Sequence, residues 1–222
     1  MSQETTLITG SNRGIGLEFA KLYSERGDAV IGACRTSSPE LAAIEVQVHE
    51  GLDVTVPEAI ERLAEQLQGR SIRRLILNAG VLSQERLESL DLDRIRHQFE
   101  VNALGPLRIV HALRENLQTG SQVAIITSRM GSVSDNTSGS MYGYRMSKAA
   151  VNMAGRSLSH DLREQGVAVG LLHPGFVRTG MTGGNGNWNA DEAAAALVQR
   201  VDEISLENSG SFRHANGDPL PW

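Results

Sequence analysis

The sequence predicts an α/β fold in which a doubly wound parallel sheet is covered by helices on both faces. Three observations support this prediction. Short, continuously apolar segments alternate with longer segments whose apolar residues recur at helical spacing. A glycine-rich turn follows the first apolar segment, at the sheet edge where such folds bind ligands. The length of 222 residues suits one domain, so we expect a single domain over residues 1–222.

The predicted elements alternate along the chain in a βαβ order. The apolar segments predict strands at residues 5–9, 29–34, 45–49, 74–77, 123–127 and 167–172. The helical patterns cover residues 15–26, a short segment after Pro39, residues 57–68, residues 92–117 and residues 141–164. Gly105-Pro106 is expected to bend or break the longest of these helices.

Composition and charge exclude several classes of function. The formal net charge of −5 disfavours nucleic acid or an anionic membrane as the main partner. The single cysteine excludes an internal disulfide, and the six histidines lack metal-ligand spacing, so we expect no metal site. No signal peptide and no apolar run of membrane-spanning length are found. We therefore expect a cytoplasmic protein without a membrane span.

The turn after the first strand has the spacing of a phosphate-binding loop. It runs from Thr9 through Gly10, Ser11, Asn12, Arg13, Gly14 and Ile15 to Gly16. Gly10 permits a tight turn, Gly14 lets the backbone approach a pyrophosphate, and Gly16 lets helix and strand pack closely. The alternative is an ordinary glycine turn. The flanking strand and helix favour the nucleotide-binding interpretation.

The end of the second strand indicates which dinucleotide is bound. An NAD site has an acidic residue there for the ribose 2′-hydroxyl, whereas an NADP site has a cation. The strand ends with Arg35 and no acidic residue, and Arg13 adds a second guanidinium in the glycine turn. These two arginines favour NADP(H) over NAD(H). The alternative is that Arg35 is a solvated surface cation.

Tyr144 and Lys148 are spaced to share one face of a helix, about one turn apart. A free tyrosine has a pKa near 10, and lowering it to neutrality requires about 4 kcal/mol of preference for the phenolate. A cation at 4–5 Å supplies roughly 3–4 kcal/mol at an effective dielectric constant near 20. The pair therefore predicts a proton donor and acceptor whose pKa Lys148 lowers. The alternative is a structural aromatic–cation pair.

Together these residues resemble the short-chain dehydrogenases/reductases. The motifs, in the family's order, are Thr-Gly-x3-Gly-x-Gly at 9–16, Asn78-Ala79-Gly80, Asn102, Ser128, Tyr144-x3-Lys148 and Pro174-Gly175. The segments around Ser128 and Tyr144 resemble the branch that contains C-factor-like proteins and sniffer-type carbonyl reductases. The resemblance spans residues 9 to about 180.

The resemblance implies a role for each matching residue. Tyr144 would be the acid/base, Lys148 would lower its pKa and bind the nicotinamide ribose, and Ser128 would orient the substrate carbonyl. Asn102 would hold a helix bend and a water that links Lys148 to solvent. The implied cofactor-binding residues also include Gly10, Asn12, Arg13, Gly14, Ile15, Gly16, Arg35, Asp53, Asn78, Ala79, Gly80, Pro174, Val177 and Thr179. Within this set, Asp53 would accept from the adenine amino group, and Val177 and Thr179 would hold the nicotinamide.

Two departures from the family pattern affect these expectations. Leu77 replaces the first asparagine of the usual Asn-Asn-Ala-Gly, which removes one polar contact at the strand end. The spacing from Ser128 to Tyr144 is longer than usual, so Ser132 is a rival for the role of Ser128. Ser128 is preferred because it directly ends the apolar strand.

The leading hypothesis is an NADP(H)-dependent oxidoreductase for a carbonyl/alcohol pair. The alternative is a C-factor-like signalling or regulatory protein with bound NAD(P) and little turnover. A nucleotide-sugar epimerase shares Tyr-x3-Lys, but it requires a larger substrate domain. One apolar face of segment 149–162 is expected to contact a second subunit in a homodimer or homotetramer, as the family's corresponding helix does. This face consists of Ala149, Ala150, Met153, Ala154, Leu158 and Leu162.

Overall fold

A computed structural model describes residues 4–222, which form one seven-stranded parallel sheet in the order β3-β2-β1-β4-β5-β6-β7. The strands are β1 (Thr5–Thr9), β2 (Ala29–Ala33), β3 (Gln47–His49), β4 (Ile72–Leu77), β5 (Leu117–Ile126), β6 (Ala168–His173) and β7 (Ser211–His214). The strand order reverses between β1 and β4, so a crevice opens there at the carboxyl edge of the sheet. The predicted doubly wound parallel sheet is confirmed.

Seven α-helices connect the strands in the described part of the chain. They are α1 (Gly14–Glu25), α2 (Pro39–Ala42), α3 (Pro57–Gln66), α4 (Leu92–Phe99), α5 (Gly105–Ala112), α6 (Tyr142–Asp161) and α7 (Ala190–Asp202). Over residues 4–222, no helix is both long enough and apolar enough to cross a membrane.

The helices bury two separate apolar cores, one on each face of the sheet. Residues of α3, α5 and α6, such as Leu63, Ile109 and Val151, pack on one face. Residues of α1 and α7, such as Phe19 and Leu197, pack on the other. Because both faces are covered, β1 is buried along its full length, which explains its continuously apolar or β-branched sequence.

The helix predicted over residues 92–117 is interrupted. A five-residue π-helical segment, Glu100–Leu104, separates α4 from α5, and a 3₁₀ turn, Arg114–Asn116, follows α5. Pro106 is the second residue of α5, at the junction with the π-helical segment, a position near a helix start where proline is tolerated. The irregularity therefore precedes the proline, and Asn102 lies at its centre.

The sequence reasoning missed α7 and β7. A capping box formed by Asn189 and Glu192 marks the start of α7, and this signal is present in the sequence. The edge strand β7 has the sequence Ser-Phe-Arg-His, in which only Phe212 is buried. Such a short segment without an apolar run carries little strand signal, and it forms because β6 offers its free edge for pairing.

Candidate active site

The glycine turn between β1 and α1 has the backbone geometry that its glycines predict. Gly10 and Gly14 adopt positive φ values of 67° and 55°, which side chains disfavour. A Cβ on Gly16 would overlap the carbonyl oxygen of Gly10, so α1 approaches the turn too closely for any larger residue. No side chain caps the start of α1 at Arg13. Its first N–H groups therefore remain available to an anion.

The Asn78 side chain stabilises this turn through hydrogen bonds to its backbone. Its Nδ2 donates to the carbonyl oxygens of Thr9 and Gly10 at 3.1 and 3.2 Å. Thr9 Oγ1 accepts in return from the backbone N–H groups of Asn78 and Ala79, both at 3.1 Å. The end of β4 and the glycine turn are therefore fixed to each other.

A cavity of about 520 Å³ opens at the crevice between β1 and β4. Most of the sequence-predicted cofactor residues line it: Gly10, Asn12, Arg13, Gly14, Ile15, Arg35, Asp53, Asn78, Ala79, Gly80 and Thr179. Gly16, Tyr144, Lys148, Pro174 and Val177 are not in its wall. Thr36, His97 and Met181 also line the cavity, and sequence reasoning did not select them. His97 lies on α4, where no local motif marks it.

The charges around this cavity are partly exposed. Arg13 and Arg35 are both exposed and contribute to the cavity wall, and Asn12 donates to the carbonyl oxygen of Thr36 at 2.9 Å. Burial acts to raise the pKa of Asp53, but hydrogen bonds from Thr55 and the positive charge of Arg35 lower it overall. Asp53 is therefore a carboxylate at neutral pH and can accept a hydrogen bond.

Tyr144, Lys148 and Ser128 form a buried group at the carboxyl edge of the sheet. Their side chains belong to residues that are 9%, 5% and 6% exposed. Tyr144 and Lys148 lie on the first turns of α6, and Lys148 Nζ lies 5.7 Å from the Tyr144 ring centroid. Lys148 Nζ donates to the carbonyl oxygen of Ile126 at 3.0 Å, which holds it against the end of β5. The Ser128 hydroxyl lies beside Tyr144 and acts to lower the pKa of its phenol.

Burial shifts the pKa values of the two residues in opposite directions. It raises the pKa of Tyr144 to about 12, against the lowering effect of the Ser128 hydroxyl. It lowers the pKa of Lys148 to about 8. Both shifts suppress charge in a desolvated site. Burial is the largest cause of both shifts, and the lowering of the Tyr144 pKa that we expect from Lys148 beside a bound nicotinamide stays a prediction.

Asn102 lies in the π-helical segment and ties the loop after β4 to α6. Its Oδ1 accepts from Val81 N and its Nδ2 donates to Val81 O, both at 2.9 Å. The same Nδ2 donates to Ser147 Oγ, next to Lys148, at 3.0 Å. A Cβ on Gly80 would lie 3.3 Å from Asn102 Oδ1 and 3.8 Å from Lys148 Nζ. The cavity and the buried catalytic group therefore meet at Gly80.

The two candidate serines have different surroundings. Ser128 Oγ accepts from Met130 N at 3.1 Å and lies close enough to Tyr144 to lower the pKa of its phenol. Ser132 Oγ donates to the carbonyl oxygen of Trp222 at 2.9 Å and accepts from Asp135 N at 3.2 Å. Ser128 therefore lies beside Tyr144, whereas the Ser132 hydroxyl binds the backbone of Trp222.

The segment after β6 reaches back to the glycine turn. Pro174 directly follows β6, and Val177 is buried and bridges to Trp188. A Cβ on Gly14 would lie 3.4 Å from Thr179 Cγ2, so this segment closes one side of the cavity. Within residues 4–222, no three His, Cys, Asp or Glu residues are grouped so that they could hold a metal ion.

The fold and this site define a class of α/β proteins with a glycine turn on β1 and a Tyr-x3-Lys pair on a later helix. A model of the short chain dehydrogenase family matches residues 4–190. The chain therefore belongs to the short-chain dehydrogenase family, and the family implied by the sequence resemblance is confirmed.

Named relatives and a solved structure agree with this family. The chain is 43% identical to a 1-hydroxy-2-glutathionyl-2-methyl-3-butene dehydrogenase of Rhodococcus sp. (strain AD45), over 98% of this chain and 99% of the relative. It is 44% identical to the C-signal of Myxococcus xanthus, over 67% of this chain and 91% of the relative. A carbonyl reductase from Pseudomonas aeruginosa PAO1 in complex with NADP is 35% identical and superposes with a TM-score of 0.87, covering 100% of both chains.

Proposed function

We propose that this protein is an NADP(H)-dependent oxidoreductase that interconverts a carbonyl compound and an alcohol. One observation carries the proposal: Tyr144, whose pKa the neighbouring Ser128 acts to lower, lies one helical turn from Lys148, and Lys148 reaches the glycine-lined cavity at Gly80. A phenol, a hydroxyl and an ammonium in this arrangement can bind a carbonyl oxygen and exchange a proton with it.

The cavity fits a dinucleotide. Its wall combines glycines at positive φ, an uncapped helix start and two exposed guanidiniums. In this proposal Gly10, Gly14 and the first N–H groups of α1 hold the pyrophosphate, and Asp53 accepts a hydrogen bond from the adenine. Pro174, Val177 and Thr179 hold the nicotinamide end, and Lys148 binds its ribose. Bound NADPH supplies a hydride to the carbonyl carbon.

Tyr144 acts as the proton donor when the carbonyl is reduced. Its raised pKa of about 12 keeps the phenol protonated at neutral pH, and the developing alkoxide is a much stronger base. The Ser128 hydroxyl orients the substrate oxygen. Lys148, with a pKa of about 8, remains mostly protonated at neutral pH and can return a proton to Tyr144. At neutral pH both groups therefore carry the protons that carbonyl reduction requires.

The preference for NADP(H) over NAD(H) depends on Arg35 and Arg13. Both are exposed at the cavity, and the end of β2 carries no acidic residue to accept from a ribose 2′-hydroxyl. Guanidiniums bind a 2′-phosphate through charge-assisted hydrogen bonds. The NADP complex of the Pseudomonas aeruginosa carbonyl reductase supports this part of the proposal.

The direct test is NADPH consumption with purified protein and a panel of aldehydes and ketones. The reverse reaction is measured with NADP and with primary and secondary alcohols. The primary alcohols include a glutathione-conjugated compound, because the Rhodococcus relative is named for such a substrate. We expect carbonyl-dependent NADPH oxidation at 340 nm with at least one class of substrate. The proposal would be contradicted if the cofactor binds but no carbonyl causes oxidation of NADPH and no alcohol causes reduction of NADP.

The similarity to C-signal favours a second candidate, a regulatory protein in which the bound cofactor stabilises an interaction surface. Cofactor binding without turnover is the result that this alternative predicts. Thermal unfolding with and without NADPH, run beside the substrate panels, separates the two candidates. Stabilisation by NADPH together with complete inactivity favours the regulatory role.

We also propose a homodimer or homotetramer that uses part of α6. Met146 and Met153 are 49% and 69% exposed and can contact a second subunit. The wider face expected from the sequence is wrong in part, because Leu158 and Leu162 pack into the chain's own core. Light scattering after size-exclusion chromatography tests the subunit number, with Met153→Glu expected to weaken the assembly.

A further inference from the structure

A buried carboxylate, Glu85, lies in the loop between β4 and α4, and none of the roles above uses it. The residue is only 1% exposed. Its Oε1 accepts from Ser83 Oγ and from Gln98 Nε2, the latter at 2.9 Å. Its Oε2 accepts from the backbone N–H of Gly143 at 3.2 Å. These four residues, Ser83, Glu85, Gln98 and Gly143, form what we call the Glu85 clasp.

All of the partners of this carboxylate donate hydrogen bonds. The backbone N–H of Ser83 donates to Gln98 Oε1 at 3.0 Å, so the amide of Gln98 must turn its NH₂ group towards Glu85. The Gly143 N–H is also an obligatory donor. A carboxylate satisfies this arrangement, whereas a glutamine at position 85 would direct its own NH₂ group at another donor.

The clasp holds the start of α6, the helix that carries Tyr144. Ser140 and Met141 precede the helix with left-handed φ values of 52° and 53°, a strained conformation for residues other than glycine. Met141, the N-cap residue, supplies no side-chain cap, and its N–H donates to the Glu85 carbonyl oxygen at 2.8 Å. Glu85 therefore caps α6 from another segment and holds the strained turn before it.

The packing at Gly143 makes this contact tight. A Cβ there would overlap Gln98 Nε2 and lie 3.0 Å from Ile95 Cα, so α6 meets α4 with no intervening side chain. Gly143 is directly followed by Tyr144. Any displacement of the Gly143 backbone therefore moves the tyrosine relative to Ser128, which is anchored separately at the end of β5.

We propose that Glu85 is a positioning residue that fixes the Tyr144 hydroxyl against Ser128 and Lys148 by clamping the first turn of α6. This inference rests on the proposed oxidoreductase function. Because Glu85 acts through the backbone of α6, its loss should reduce kcat. NADPH binding should stay nearly unchanged, because all of its proposed contacts except those of Tyr144 and Lys148 lie outside α6.

The test compares Glu85→Gln with Glu88→Gln. Glu88 is exposed in the same loop, so its substitution makes the same change in charge without touching the clasp. For Glu85→Gln we expect kcat to fall about 10- to 100-fold, as for a small misplacement of a reacting group. The NADPH dissociation constant should stay within about twofold. Hydrogen exchange of residues 140–148 should accelerate in Glu85→Gln and not in Glu88→Gln.

A double variant distinguishes clasp geometry from a general loss of stability. In Glu85→Gln/Gln98→Glu the carboxylate moves to position 98, where it can accept from Ser83 N and from the new amide, whose oxygen can accept from Gly143 N. We expect kcat to recover to within about threefold of wild type. Unchanged kcat in Glu85→Gln, or no recovery in the double variant while it remains folded, would overturn the proposal.

The exchange measurement keeps the two proposals separate. If the wild-type protein turns over no carbonyl substrate, the proposed function fails. The exchange rates of residues 140–148 still decide whether Glu85 holds the start of α6. Unchanged exchange in Glu85→Gln would overturn the clamping role whatever the activity.

Discussion

The two halves of the crevice at the carboxyl edge of the sheet are built in different ways. The open half is a cavity lined by the glycine turn and by larger side chains that follow β1, β2, β4 and β6 or lie on α4. The buried half consists of the side chains of Ser128, Tyr144 and Lys148, none of them in a residue more than 9% exposed. Glycines at positive φ shape the turn in the open half, whereas the buried half depends on where three side chains are placed.

This difference has an electrostatic consequence. In the open half, the guanidiniums of Arg13 and Arg35 remain exposed and free to attract an anion. In the buried half, desolvation raises the pKa of Tyr144 and lowers that of Lys148. Under the proposed function, binding of a charged ligand and transfer of a proton take place in separate dielectric environments that meet at Gly80.

The largest expected effect comes from removing the proton donor in the buried half. Tyr144→Phe deletes the hydroxyl while keeping the ring, and general acid catalysis is typically worth about 10²- to 10⁴-fold. We expect kcat for carbonyl reduction to fall by that factor. The dissociation constant for NADPH, measured by fluorescence titration, should change by less than about threefold, because the open half supplies most of the binding contacts.

Tyr142→Phe is the matched control, since Tyr142 is partly exposed in the first turn of the same helix and contributes no group to the site. Its turnover should match wild type. If Tyr144→Phe retained full activity, or lost NADPH binding and turnover to the same degree, the division between the two halves would be wrong.

Local sequence signals are sufficient to predict the glycine turn of the open half, although not every residue of the cavity wall. The glycine spacing at 9–16 and the apolar segments before and after it are contiguous in the chain, so the strand, turn and helix could be predicted together. Tyr144 and Lys148 were also predictable, because both lie on one helix. Asn102 was selected by resemblance, and its π-helical backbone has no recognised local sequence signature.

The remainder of the buried half depends on contacts between distant segments. Glu85 and Gly143 are 58 positions apart, and nothing in the sequence near Glu85 indicates that its carboxylate caps α6. The pKa of Tyr144 could not be predicted from spacing alone, because the sequence identifies the neighbouring lysine but not the extent of desolvation. The edge strand β7 forms only because β6 is available to pair with it.

A smaller effect is expected from reversing a charge in the open half. Arg35→Asp replaces a cation by an acidic residue at the end of β2, where it would repel a 2′-phosphate and accept from a 2′-hydroxyl. We expect the dissociation constant for NADPH to rise about 10- to 100-fold, as for loss of a charge-assisted contact. The constant for NADH, measured by the same titration, should stay within about threefold.

Arg62→Asp provides the control, because Arg62 is exposed on α3 and outside the cavity wall while the change in net charge is the same. In Arg62→Asp, the dissociation constants for NADPH and for NADH should both match those of the wild type. Equal weakening of NADPH and NADH in Arg35→Asp would show that Arg35 does not discriminate between them, and would remove the electrostatic basis for the proposed preference.

The smallest expected effect tests desolvation in the buried half through stability. Burial lowers the pKa of Lys148 to about 8, whereas an unfolded lysine titrates near 10.4. Between these values the unfolded state binds more protons, so this group makes the wild type more stable as pH rises. Lys148→Met lacks the effect. The difference in unfolding free energy between the wild type and Lys148→Met should therefore move by about 1 kcal/mol in favour of the wild type between pH 7.5 and 9.

Urea titrations at each pH measure this difference, with Lys21→Met as the surface control. Tyr144, with its raised pKa, opposes this trend only above about pH 10, where the unfolded phenol ionises first. A pH-independent difference would mean that Lys148 is solvated, and the contrast between an open and a buried half would disappear.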